Sequence, residues 1–119
     1  MSGHDNHNGG CVFCKIIDGE IPSRKVYEDE KILVFHDINP SAPVHILCVT
    51  KIHIESLNGV NGDNISYVSH IFEKIPELAK SFGIDNGYRV VTNIGEDGGQ
   101  SVKHLHFHVL GGKKLGYLG

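Results

Sequence analysis

The chain has 119 residues, a length that suits one domain with a single core. Apolar residues make up 39% and charged residues 21%, which is typical of a globular protein and excludes a disordered composition. The formal net charge of −3 provides no general attraction to nucleic acid, and no apolar run is long enough to predict a transmembrane helix.

We predict a single domain over residues 11–119. The preceding residues, 1–10, are polar and glycine-rich, so we expect a disordered leader in which His4 and His7 are in contact with solvent. The N-terminus lacks the basic and apolar regions of a secretory signal, which predicts a cytoplasmic protein.

Short helices and strands alternate along this domain. Apolar spacing predicts a short helix over residues 11–17, which Gly19 ends. Apolar and alternating runs predict five strands, in chain order 26–29, 32–37, 45–50, 88–93 and 104–110. A long amphipathic helix is predicted over residues 63–82, with Pro76 as a kink or the cause of an unpaired carbonyl. Strands joined by hairpin-length links predict an α+β domain with an antiparallel sheet.

Three histidines alternate with apolar residues in the last predicted strand, HLHFHVL. Side chains along a strand point to alternate faces, so His104, His106 and His108 are expected on one face while the apolar residues enter the core. Such a row suits groups that act on one ligand. An ordinary half-buried strand with histidines on its polar face would show the same pattern.

Cys11 and Cys14 form a C-x-x-C pair near the start of the domain. Two thiolates at this spacing can bind one tetrahedral zinc ion together with two further nitrogen ligands, for which His53 and His104 are available. A redox pair or two buried cysteines are alternative interpretations. The odd cysteine count argues against a disulfide framework, and the additional histidines favour zinc. Cys48 lies in an apolar strand, which predicts a core position.

A glycine-rich loop, residues 93–101, leads into the histidine strand. Glycines expose backbone N–H groups, and Asn, Gln and Ser add short hydrogen-bonding side chains, which together could bind a phosphate. Loops of this composition between strands are more often simple turns.

The stretch His104–Leu110 resembles the histidine triad (HIT) motif, His-φ-His-φ-His-φ-φ, where φ is apolar. The resemblance extends over FCKIIDGEIPS, FHDINPSAPVHILCVTKIHI and GYRVVTNIGEDGGQSVKHLHFHVLGG, nearly the whole predicted domain. It is strongest with the Hint branch, the purine nucleoside phosphoramidases. This resemblance implies a five-stranded antiparallel sheet with a short N-terminal helix and one long helix. It also implies a homodimer in which two sheets join into one of ten strands.

The resemblance implies a role for each matching residue. His106 would be the nucleophile that attacks the α-phosphorus, His108 would stabilise the phosphate charge, and His45 would join it beside the leaving group. The residues implied to contact the phosphate are Asn93, Gly99, Gln100 and Ser101. Ser101 would also be a catalytic residue, and Asp37 would bind the ribose hydroxyls. The apolar slot for the base would comprise Phe13, Ile16, Ile21, Phe35, His36 and Ile38. Some family members bind structural zinc through residues that match Cys11, Cys14, His53 and His104.

The implied reaction is hydrolysis of purine nucleoside 5′-phosphoramidates, or related nucleotidyl conjugates, through a covalent nucleotidyl-histidine. A neutral imidazole is a competent nucleophile, and its other ring nitrogen needs an acceptor, for which we expect a backbone carbonyl. No catalytic cofactor and no nucleic-acid or membrane partner is implied. Two other hypotheses are a hydrolase whose histidine row binds a catalytic metal and a nucleotide-binding adaptor with residual turnover. Many Hint relatives carry a tryptophan in a C-terminal tail, whereas this sequence contains no tryptophan, and Tyr117 is the candidate to replace it.

Overall fold

A computed structural model describes residues 10–117 of the chain. The leader predicted over residues 1–10, with His4 and His7, therefore lies outside the described residues apart from Gly10.

Over residues 10–117 the fold consists of two α-helices, a short 3₁₀ helix and five strands. Helices α1 and α2 run over Val12–Ile17 and Ile65–Ser81, and the 3₁₀ helix occupies Leu57–Gly59. The strands are β1 (Lys25–Glu28), β2 (Ile32–His36), β3 (Val44–Thr50), β4 (Arg89–Val91) and β5 (His106–Gly111). They form one antiparallel sheet in the order β1-β2-β3-β5-β4. The predicted α+β fold with a five-stranded antiparallel sheet is confirmed.

Two predicted strands have an end that is two residues beyond the observed one. The last strand begins at His106 and not at His104, because the Leu105 N–H donates to the Ile54 carbonyl at 2.6 Å and so does not join the sheet. The strand predicted over residues 88–93 is limited to β4. Directly after β4, the Thr92 hydroxyl donates to the His106 carbonyl at 2.8 Å.

Helix α2 covers one face of the sheet and is continuous through Pro76. Val68, Ile71, Ile75, Leu78 and Ala79 are buried, as the apolar spacing predicts. The same spacing also predicts buried positions for Ile65 and Phe72, which is wrong because these side chains are 43% and 51% exposed. Neither helix within residues 10–117 is long and apolar enough to cross a bilayer.

The sheet is packed on both faces. On the α2 face the core includes Cys48, Leu105, Phe107 and Val109, so these predicted core positions are confirmed. Burial raises the pKa of the Cys48 thiol to about 12, which keeps it neutral. On the opposite face, Leu33, Phe35, Leu47 and Val49 pack against Phe13 and Cys14 of α1. The histidine row lies on this second face, so it is covered by α1 and is not an open polar surface.

Asp29 joins the β1–β2 turn to α2. Its carboxylate accepts hydrogen bonds from the Tyr27 hydroxyl at 2.6 Å, from the His70 ring, and from the backbone N–H groups of Lys31 and Ile32 at 2.9 and 3.1 Å. Burial raises the pKa of this carboxyl, but the hydrogen bonds outweigh burial and hold the pKa well below its usual range. The ionised Asp29 side chain therefore links the predicted β1–β2 hairpin to His70 of the long helix.

Candidate active site

A pocket of about 740 Å³ lies between α1, the end of β2 and the histidine row. Ten of the residues that the sequence implicates line it: Phe13, Ile16, Ile21, Phe35, His36, Asp37, Ile38, Ser101, His106 and His108. Sequence reasoning missed Val12, Pro22, Ser23, Arg24, Asn39, Pro40, Leu47 and Val102. Leu47 could have been found from strand pairing, because it lies opposite His108 in the sheet.

Within the glycine-rich loop, residues 93–101, several polar groups form hydrogen bonds to other residues of the loop. The Gly99 N–H donates to the Glu96 carbonyl at 3.0 Å, and the Gln100 side chain accepts from the Gly95 N–H at 2.9 Å and donates to the carbonyls of Glu55 and Val102. An added Cβ at Gly98 would lie 2.3 Å from the Ile94 carbonyl oxygen, so this tight turn requires glycine. Asn93, Gly99 and Gln100 are outside the lining of the pocket among the described residues, whereas Ser101 is part of it.

The histidine row lies on the α1 face of the sheet. His106 pairs with Val49 and His108 with Leu47, and cross-strand partners share a face. The Phe13 ring contacts the rings of His104 and His106 edge-on, with centroids 5.9 and 5.0 Å away. The prediction that the three imidazoles share one face is confirmed, although His104 precedes the strand.

His106 is buried at the inner wall of the pocket, and its two ring nitrogens differ. Nδ1 donates to the His104 carbonyl at 2.6 Å, which is the backbone acceptor expected for a nucleophilic imidazole. Burial lowers the pKa of His106, and this outweighs the opposing effects of that hydrogen bond and of Asp37. The ring is therefore neutral near pH 7, with the lone pair on Nε2.

His108, His45 and Asp37 form a connected group beside His106. The His45 Nε2 lies 2.9 Å from the His108 Nδ1 and 3.3 Å from the Asp37 Oδ2. Burial, together with the neighbouring His106 and His45, lowers the pKa of His108 to about 4. Burial also lowers the pKa of His45, although the Asp37 carboxylate opposes this shift. His45 is buried behind His108 and is not among the lining residues of the described pocket.

His36 and Ile38, two of the residues predicted to form the apolar slot for the base, lie outside its apolar wall. The His36 ring packs edge-on against Phe82 with centroids 5.8 Å apart, because strand alternation directs it to the α2 face. Ile38 is 90% exposed and lies at the outer rim of the pocket. The apolar wall of the pocket is formed by the α1 side chains of Phe13 and Ile16 together with Phe35.

The Cys/His cluster (Cys11, Cys14, His53 and His104) brings together all four predicted metal ligands. The Sγ–Nδ1 distances are 3.3 Å for Cys11–His104, 3.4 Å for Cys14–His53 and 3.6 Å for Cys14–His104. Sulfur and nitrogen ligands of one tetrahedral zinc ion lie about 3.5 Å apart, given bond lengths of about 2.3 and 2.1 Å. The Nε2 of His104 donates to the Thr50 carbonyl at 2.8 Å, which directs Nδ1 toward the thiols. The donor set and spacing fit zinc.

Residues 10–116 match the family described as scavenger mRNA decapping enzyme C-term binding. An uncharacterized HIT-like protein of Buchnera aphidicola is 49% identical over 105 residues, which are 87% of this chain and 94% of that protein. A histidine triad protein structure from Clostridium difficile has a TM-score of 0.89 at 52% identity, covering 94% of this chain and 98% of the other. The chain belongs to the histidine triad (HIT) family.

Other similar proteins agree with this assignment. The structure of a protein named HIT family hydrolase from Clostridium thermocellum has a TM-score of 0.89 at 44% identity, covering 93% of the HIT protein described here and 97% of its own chain. Protein HitA of Neisseria gonorrhoeae is 43% identical over 101 residues, which are 85% of the HIT protein and 94% of HitA. The fold of this HIT protein is thus one that named hydrolases share.

Proposed function

We propose that this HIT protein hydrolyses purine nucleoside 5′-phosphoramidates, or related nucleotidyl conjugates, and releases the nucleoside monophosphate. The observation that carries the proposal is the state of His106. Its Nδ1 donates to the His104 carbonyl at 2.6 Å, its ring lines the pocket, and burial keeps it neutral. A neutral imidazole held in this way is a nucleophile without any further base.

The pocket suits a nucleoside monophosphate in size and polarity. Its volume of about 740 Å³ is within the usual range of small-molecule sites. The apolar wall of Phe13, Ile16 and Phe35 would bind the base, the Asp37 carboxylate would accept hydrogen bonds from the ribose hydroxyls, and the α-phosphate would lie at His106, His108 and Ser101. Arg24 and Ser23 also line the pocket and add polar groups to it.

The proposed reaction has two displacements at phosphorus. The His106 Nε2 attacks the α-phosphorus, the P–N bond to the amine breaks, and a nucleotidyl-histidine forms. The departing amine must take up a proton, and the Ser101 hydroxyl at the pocket is the candidate group to deliver it. Water then attacks the phosphorus and the N–P bond breaks: the water oxygen joins the monophosphate, the proton that the water loses returns to the Ser101 oxygen, and His106 is again neutral. Donors around the phosphate offset the charge that gathers on its oxygens.

We further propose that the Cys/His cluster binds a structural zinc ion. The ion would link α1, which carries the apolar wall of the pocket, to the segment that precedes β5. A six-residue helix such as α1 is too short to be stable by itself. Metal analysis of the purified protein is expected to find one zinc per chain and much less in Cys14→Ser. A metal-free wild-type protein that keeps its folded spectrum and its stability would contradict this role.

We also propose a homodimer that extends the sheet. Strand β4 is at the edge of the sheet, and its Val90 side chain is 41% exposed. An unpaired edge is a template for another strand, and pairing with a second copy would satisfy it. Light scattering coupled to size exclusion is expected to give the mass of two chains. A monomer at micromolar concentration would contradict the proposal.

The decisive experiment measures AMP release from adenosine 5′-phosphoramidate by the wild type and by His106→Asn. Loss of a nucleophile is expected to lower kcat by about 10³-fold or more. Calorimetric binding of AMP to both proteins is the control, because the variant keeps the pocket. Equal rates, or no turnover by a wild type that binds AMP, would instead favour a nucleotide-binding adaptor.

A further inference from the structure

The hydrogen bonds around His45 determine which of its nitrogens carries the proton. The Ser41 backbone N–H donates to the His45 Nδ1 at 3.0 Å, so this nitrogen is an acceptor. When His45 is neutral its proton is therefore on Nε2. That nitrogen lies 2.9 Å from the His108 Nδ1 and 3.3 Å from the Asp37 Oδ2. The carboxylate oxygen is an acceptor, and the His108 Nδ1 must accept as well, because two N–H groups cannot face each other at this distance.

The same reasoning extends to His108. Its Nδ1 accepts from His45, so the proton of neutral His108 must be on Nε2. His108 lines the pocket while its Nδ1 faces the buried His45, which directs the Nε2–H to the pocket side of the ring. The neighbouring His106, whose ring centroid is 5.0 Å away, is held in the opposite tautomer by the His104 carbonyl.

We propose that Asp37 and His45 are positioning residues that act through His108, holding it in the Nε2–H tautomer so that it donates to a ligand's phosphoryl oxygen. In this arrangement His45 does not touch the leaving group, and Asp37 has a second role besides its contact with the ribose. The backbone N–H of Asn39 donates to the other oxygen of Asp37 at 2.8 Å, which orients the carboxylate for this purpose. The substrate in this proposal is the one given by the proposed function.

A metal ion is the competing explanation for the closeness of Asp37, His45 and His108, whose ligand atoms all lie within 4.8 Å of one another. The hydrogen bonds already account for the short distances, because the donor faces an acceptor at each one. A metal at the His108 Nδ1 would remove the acceptor on which the proposal depends. A second metal equivalent in the purified protein that is lost in Asp37→Asn would therefore overturn the proposal.

The direct test needs no substrate. Two-bond ¹H–¹⁵N correlation spectra of the free wild type at about pH 8, where all these rings are neutral, report each tautomer. We expect Nε2–H for His45 and His108 and Nδ1–H for His106. In His45→Leu, which has no donor, His108 is expected to populate both tautomers. In His45→Gln, whose amide can donate from a similar position, His108 is expected to remain Nε2–H.

Turnover then tests the consequence. Removing one preorganised donor lowers kcat by about 10²- to 10³-fold in comparable sites, which we expect for His45→Leu with a smaller change in KM. His45→Gln is expected to recover most of this loss. Asp37→Asn is expected to lower kcat by about tenfold or more, as for other groups that orient a ligating or catalytic histidine. Asp63→Asn, at an exposed carboxylate before α2, is the matched control and should leave kcat unchanged.

The outcomes separate this proposal from the proposed function. The expected tautomers with no phosphoramidate turnover would refute the proposed function and support the arrangement of His108. Two results would overturn the positioning role even if turnover requires His106. One is an Nδ1–H tautomer of His108 in the wild type, and the other is a His108 tautomer that does not change in His45→Leu. Thermal unfolding of each variant identifies any that does not fold, and the wild-type spectrum decides the tautomers without variants.

Discussion

Replacing Asp29 by alanine removes the acceptor of four hydrogen bonds, three within the β1–β2 hairpin and one from the His70 ring of α2. Each such bond contributes about 0.5–1.5 kcal/mol net, and the two backbone N–H groups would lose their side-chain acceptor. Because the carboxylate is 25% exposed, water can replace part of the loss. We expect Asp29→Ala to lower the free energy of unfolding by about 2–4 kcal/mol.

The size of the chain converts this loss into a shift in Tm. At about 2.1 cal/mol/K per residue, the entropy of unfolding is about 250 cal/mol/K, so 1 kcal/mol corresponds to about 4 °C. Thermal unfolding followed by circular dichroism at about pH 7.5 should therefore show Tm lowered by about 8–16 °C. Glu30→Ala, at the exposed neighbour in the same turn, is the control. A decrease below about 4 °C would refute the idea that the hydrogen bonds of Asp29 stabilise the β1–β2 turn and its contact with α2.

The same site predicts the direction of a pH effect. The pKa of Asp29 is lower in the folded protein than in the unfolded chain, so the folded state binds its proton less readily. The stability that Asp29 contributes is fully present above the unfolded value of about 4 and is lost as the pH falls below it. The difference in stability between wild type and Asp29→Ala should thus narrow as the pH falls below about 4. A difference that does not narrow between about pH 4 and pH 2 would contradict this cause.

Three further predictions concern the site and the sheet. Chelation of metal from the Cys/His cluster is expected to lower Tm in the wild type but not in Cys14→Ser; equal shifts would exclude the cluster as the source. Nuclear magnetic resonance titration of His108 should give a pKa of about 4, so the ring is expected to be neutral from about pH 5 upward. A titration midpoint near 6.5 would show that burial does not determine the pKa of His108. Gly112→Ala should lower the free energy of unfolding by about 1–3 kcal/mol, because the φ of Gly112 is +93° and an added Cβ would lie 2.9 Å from the Pro43 Cβ. Gly62→Ala is the control and should change the free energy of unfolding little, because an added Cβ at Gly62 has no atom within 4 Å.

The sequence predicts the fold class and most of the residues that line the pocket. Strand alternation is a local property, so HLHFHVL alone indicates that its histidines share a face and that Phe107 and Val109 enter the core. The C-x-x-C pair similarly indicated a metal site. The structure brings Cys11 to His104 across 93 positions of the chain, in agreement with the predicted ligand set.

Strand ends were predicted less well, because they depend on partners elsewhere in the chain. The Leu105 N–H donates to the Ile54 carbonyl outside the sheet, and directly after β4 the Thr92 side chain donates to the His106 carbonyl. Neither contact has a signal in the local pattern. The loop residues Gly99 and Gln100 likewise bond within the loop and to Glu55, which composition cannot reveal.

By itself, the sequence determined the types of residue at the site, because alternation, helical spacing and the C-x-x-C pattern are local and repeat with the backbone geometry. Only the tertiary structure decided how these residues act on one another. His45 and His108 are 63 positions apart, and the register between β3 and β5 brings their ring nitrogens to 2.9 Å. Which nitrogen carries a proton then follows from contacts with Ser41 and Asp37, since a tautomer is set by the acceptors that surround the ring.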